Sequence, residues 1–72
     1  MDLKQIEEYI EGTEESKEDW EKKAKECNGK AADFASNAAL ELKIIIGVLK
    51  ELKEDQEEMQ AKLQKIRLQV IS

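Results

Sequence analysis

Seventy-two residues make one domain at most, and a chain this short buries only ~60% of its unfolded surface, so a lone copy leans on a disulfide, a metal or partner chains. The single cysteine, Cys27, excludes an intramolecular disulfide, and the lack of histidine removes the commonest zinc ligand and general base. Charged residues make up 40% of the chain, proline is absent and glycine occurs three times, the profile of long helices, while a net charge of −5 argues against the basic footprint of a nucleic-acid-binding domain.

The N-terminal arm, residues 1–27, carries an apolar stripe at helical spacing: Leu3, Ile6, Ile10, Trp20, Ala24 and Cys27. Thr13 and Lys17 occupy the intervening stripe positions and weaken its middle. Gly12 followed by Thr13 reads as the end of one helix and the cap of the next, so two pieces or a kink are favoured, the alternative being a single helix that tolerates Gly12 at ~1 kcal/mol. Residues 1–21 carry nine acids and two lysines, a charge that suits a helix N-terminus. Met1-Asp2-Leu3-Lys4 leads into this acidic stretch rather than an apolar one, so no signal peptide is expected.

Asn28-Gly29 is the strongest break, because both residues accept the left-handed conformation that closes a helix. Lys22, Lys23 and Lys25 stand just before it, where cations suit a helix C-terminus. A turn at 28–30 then returns the chain as an αα-hairpin. With that turn, positions summing to about 57 face each other, which sets Trp20 opposite Ala35, Ser36 and Ala38, and Ile6 and Ile10 near Val48 and Leu49.

Residues 31–70 carry a heptad pattern with a at Ala35, Leu42, Leu49, Gln56, Leu63 and Val70, and d at Ala31, Ala38, Ile45, Leu52, Met59 and Ile66. Only Gln56 of these is polar, so the segment reads as a coiled-coil helix roughly 60 Å long. A rod with such a stripe requires a partner surface. Ile44, Ile46 and Val48 lie off the seam, which predicts a section sandwiched between the N-terminal arm and a second protomer. Gly47 within it reads as a close approach by another helix. Residues 57–72 overhang the hairpin and need another chain to cover Met59, Leu63, Ile66 and Val70. Leu42 with Ile45 and Leu63 with Ile66 match the four-stranded preference, and Gln56 reads as a register-setting polar residue. An antiparallel arrangement bringing Glu41 near Lys62 of a second chain suits the flanking charges better than a parallel dimer. Lys62, Lys65 and Arg67, with no acid from 59 onward, read as charges suited to the helix C-terminus.

The chemistry-bearing constellations are sparse. Cys27 falls on the apolar stripe and behaves as a small hydrophobe. The acids Glu7 to Glu21 lack the twelve-residue calcium frame, and di-iron Glu-x-x-His pairs cannot form without histidine. The glycines are isolated, so no phosphate loop exists, and the longest apolar run, Ile44 to Leu49, is far short of the ~20 residues a bilayer needs.

The expectation is therefore an all-α, non-enzymatic, cytoplasmic helical hairpin with a long heptad helix, assembling into a four-helix-type bundle or coiled coil. It has no cofactor, metal, nucleic-acid, membrane or small-molecule partner. The expected interface comprises Leu42, Ile45, Val48, Leu49, Leu52, Gln56, Met59, Leu63, Ile66 and Val70. The expected hairpin packing uses Ile6, Ile10, Trp20, Ala24, Ala35 and Ala38. The function expected is self-association, dimer or tetramer. The alternative is a small acidic regulatory binder, an inhibitor or accessory chaperone, that docks its helices onto a larger protein.

Overall fold

The structure is a computed structural model that describes the backbone of residues 2–71 and the side chains of residues 2–70. It is an all-α helical hairpin: α1 spans Leu3–Glu26 and α2 spans Lys30–Ile71, and no strand occurs among the described residues. The N-terminus of α1 is closed by a capping box. The Asp2 carboxylate accepts from the Gln5 backbone N–H at 2.9 Å, and the Gln5 side-chain oxygen accepts from the Asp2 N–H at 3.1 Å. Two otherwise orphaned donors are satisfied this way.

The break expected at Gly12 and Thr13 is absent, and α1 runs through both. The Thr13 hydroxyl, which a cap would turn toward the next helix, instead donates to the Tyr9 carbonyl at 2.6 Å, one turn back. Gly12 is solvent-facing and a Cβ there would meet nothing within 4 Å, so it costs helix propensity, about 1 kcal/mol, and no contact.

At the turn, Cys27 is the extended C-cap of α1, its N–H bonded to the Lys23 carbonyl at 2.9 Å. Gly29 takes the left-handed conformation, φ +63°, and its carbonyl accepts from Asp33 N–H at 3.1 Å to start α2. The left-handed residue thus opens the second helix rather than closing the first, and α2 begins at Lys30, one residue earlier than expected.

The helices lie side by side in a rod of 65 × 15 × 14 Å. Its radius of gyration is 18.2 Å, against ~11 Å for a compact domain of this length. The core is one line of contact: Ile6 of α1 with Ala35, Ala39 and Ile46 of α2 are buried. Leu3, Ile10, Thr13, Lys17, Trp20, Ala24 and Cys27 are half-buried on the same stripe of α1. On α2 the half-buried companions are Ala32, Ala38, Leu42, Leu49, Lys53 and Gln56.

The inner face of α2 is therefore the expected a positions Ala35, Leu42, Leu49 and Gln56, together with Ala39, Ile46 and Lys53 one step beyond the expected d positions. Leu42, Leu49 and Gln56, expected at an intermolecular interface, are turned to the chain's own α1. The pairing also shifts: Trp20 meets Phe34, and Glu7 lies level with Lys53. Val48 is 60% exposed and does not sit in the hairpin seam near Ile6 and Ile10.

Two glycine substitutions should move thermal stability in opposite directions. By circular dichroism, Gly12→Ala should stabilise by about 0.5–1 kcal/mol. Gly29→Ala should destabilise by about 1–2 kcal/mol, because an L side chain is strained at positive φ.

Candidate protein-interaction face

The two long sides of the hairpin differ in chemistry. One side is polar. Glu14 meets Lys50 at 3.6 Å and Glu7 meets Lys53 at 3.4 Å across the helices, while Lys17 and Glu21 pair along α1 at 3.1 Å. A shallow groove on this side is lined by Glu14, Lys17, Glu18, Lys43 and Lys50, with Gly47 at its floor. A Cβ on Gly47 would meet nothing within 4 Å, so α1 makes no close backbone approach there. These ion pairs are partly exposed, and pairs of that kind contribute ~0–1 kcal/mol each.

The opposite side is apolar. Ile45 is 46% exposed, Val48 60% and Phe34 65%, and Leu52 is also exposed, all along one flank of α2. Phe34 makes an edge-to-face contact with Trp20, with ring centroids 5.7 Å apart and planes at 70°. The Lys23 ammonium lies 4.7 Å from the Trp20 ring centroid. This is the only ring pair described across the helices, and it ties the turn end together at about 0.5–1.5 kcal/mol beyond burial. Exposed Tyr9 lies about three turns from Trp20 on nearly the same flank of α1, and so extends this side toward the N-terminus.

Beyond Gln56 the second helix runs on without α1. Met59 (63% exposed), Leu63, Ile66 and Val70 (80% exposed) continue the apolar flank along this overhang, and Leu68 is exposed on another side. Lys62 pairs with Glu58 at 3.4 Å along the helix. The last turn of α2 carries no basic residue, so the basic end does not serve the helix dipole as expected, because that effect fades within the terminal turn.

Of the ten residues expected at an interface, seven therefore lie on open surface: Ile45, Val48, Leu52, Met59, Leu63, Ile66 and Val70. The expected hairpin residues divide into buried Ile6 and Ala35 and half-buried Ile10, Trp20, Ala24 and Ala38. Cys27 is half-buried. Phe34 and Tyr9 were not anticipated on the face. Phe34 lies one turn before Ala38 and Ile45 continues at the next heptad, a second repeat in the same helix that marked it.

Among the described residues, no cluster of three histidine, cysteine, aspartate or glutamate side chains is placed to hold a metal ion. Nor is any helix long and apolar enough to cross a membrane. No protein-family model matches this chain, and no curated protein or solved structure is significantly similar to it.

The contrast between the sides has a measurable consequence. Ile6→Ala should cost about 2–4 kcal/mol in urea or thermal unfolding, because it empties the most deeply buried position of the single contact line. Lys53→Ala, on the polar side, should change stability by less than about 1 kcal/mol.

Proposed function

We propose that this chain is a self-associating helical module, whose role is to bring copies together through the apolar flank of α2. The observation that carries this reading is the continuity of that flank from Phe34 through Ile45, Leu52 and Met59 to Ile66, all exposed. A compact monomer of 8.3 kDa exposes about 4,600 Å², whereas this chain exposes 6046 Å². The excess, roughly 1,400 Å², is more than the ~800 Å² per partner that a stable interface takes. Exposed large apolar side chains recurring along one flank of a helix are uncommon on a stable monomer.

The proposal includes no catalytic role, since the chain has no histidine and one cysteine. It places the protein in the cytoplasm, where a lone thiol stays reduced. The exposed acids on the outer surface of α1, Glu8, Glu11, Glu15 and Asp19, favour a second reading, in which the chain binds a basic surface of a larger protein as a small regulator.

Light scattering at micromolar concentration separates the two. The wild type should be a dimer or tetramer, and Val48→Asp with Leu52→Asp should be a helical monomer, since both positions are exposed in the hairpin. A monomeric wild type would remove the first reading. The second would then be tested by capture of a partner with α1 acids intact and with Glu11, Glu15 and Asp19 reversed to lysine.

A further inference from the structure

Resting on the self-association reading, we infer that the occupant of the flank is α2 of a second copy, antiparallel, in a register that lays the overhang of each chain over the aromatic turn end of the other. Ile66 of one copy then meets Phe34 of its mate.

The register follows from the helix itself. The flank repeats at alternating steps of four and three from Phe34 to Ile66, the spacing of a coiled-coil seam. Antiparallel alignments of such a seam differ by whole heptads. One of them pairs residues whose numbers add to about 100, setting Val48 against Leu52 near the symmetry axis and Phe34 against Ile66 at both ends. Because α2 spans Lys30–Ile71, its midpoint lies near residue 50, and this alignment overlaps the two helices end to end. A shift of one heptad in one direction carries Phe34 past the end of the facing helix. A shift in the other carries Ile66 past Lys30 into the turn. Either way a large exposed side chain is left in water.

Charge selects the direction. Three seam positions are ionised: Glu41, Asp55 and Lys62. A parallel, in-register pair sets each against itself, and like charges juxtaposed at an interface are costly. The antiparallel register sets none against itself, facing Glu41 with Met59, Asp55 with Ile45 and Lys62 with Ala38, and Glu41 then lies between Lys62 and Asp55 of the other copy, about one turn from each. The overhang, with Lys62, Lys65 and Arg67 and no acid from residue 59 onward, then passes the turn half of the other hairpin. There α1 carries five acids against Lys17 between residues 14 and 21, followed by Lys22, Lys23 and Lys25 nearer the turn.

The arrangement also accounts for the unequal helix lengths. α1 has 24 residues and α2 has 42, so each overhang lies beyond its own α1. In this register it covers the part of the second copy where Trp20 and Phe34 stand together.

Single-cysteine variants test the geometry in a Cys27→Ser background, Phe34→Cys and Ile66→Cys, each oxidised alone and as an equimolar mixture. The mixture should give the Cys-to-Cys heterodimer in several-fold excess over either homodimer on a non-reducing gel. Ala38→Cys with Lys62→Cys, the next pair of the same register, should behave alike and leaves the aromatic pair intact. Homodimers from each variant alone, or no cross-link in a sample that light scattering shows to be associated, would overturn the antiparallel register while leaving self-association standing. A wild type that is monomeric by light scattering removes both.

Discussion

Two helices side by side share a single line of contact, and that limit governs everything else in this molecule. Among the described residues, the hairpin buries only Ile6, Ala35, Ala39 and Ile46. The buried residues of α2 near the turn are small, Ala35 and Ala39, and larger Ile46 and Ile6 are buried farther from it. With so thin a core, hydrophobic burial per residue is low, and a short chain of this kind is marginal by itself. The apolar residues that remain cannot be sheltered by rearranging the hairpin, because α1 has only one face to offer and has already used it.

The consequence is a rod with two unlike sides. Across one, glutamates of α1 reach lysines of α2, an arrangement that keeps that side wetted and adds little stability. Across the other, Ile45, Val48 and Leu52 lie open, with the Trp20–Phe34 pair at the turn end and the overhang at the far end. A helix apolar over more than half its circumference is a helix buried on more than one side. Residues 44–49 meet that description in sequence, yet only Ile46 is buried by the chain itself. The proposed self-association assigns the remaining coverage to a second copy. The acidic α1 and the basic end of α2 then become complementary surfaces rather than separate local biases.

Much of the architecture was legible before any coordinates. The α1 stripe from Leu3 to Cys27, including weak members Thr13 and Lys17, is the inner face of that helix. The break near Asn28-Gly29, the long second helix and its overhang also follow from composition and spacing. The capping box at Asp2 and Gln5 was present in the residues as a cap with an amide three positions on, and went unread. Gly12 was misleading because propensity is a weak signal: about 1 kcal/mol does not break a helix whose neighbours on both sides are held by packing.

Local spacing by itself determined that this chain is helical, that it turns once, and that α2 has more apolar positions than one seam can use. It did not determine which of two overlapping heptad stripes α1 would take. Positions 38, 45 and 52 and positions 39, 46 and 53 differ by one residue, about 100° around the helix, and both contain good core residues except for Lys53. The tertiary structure decided for the second set. The three-residue connection and the left-handed Gly29 fix where α1 comes to lie on α2, and that rotation leaves Ile45 and Leu52 of the first set facing outward, with Ala38 half-buried at the edge.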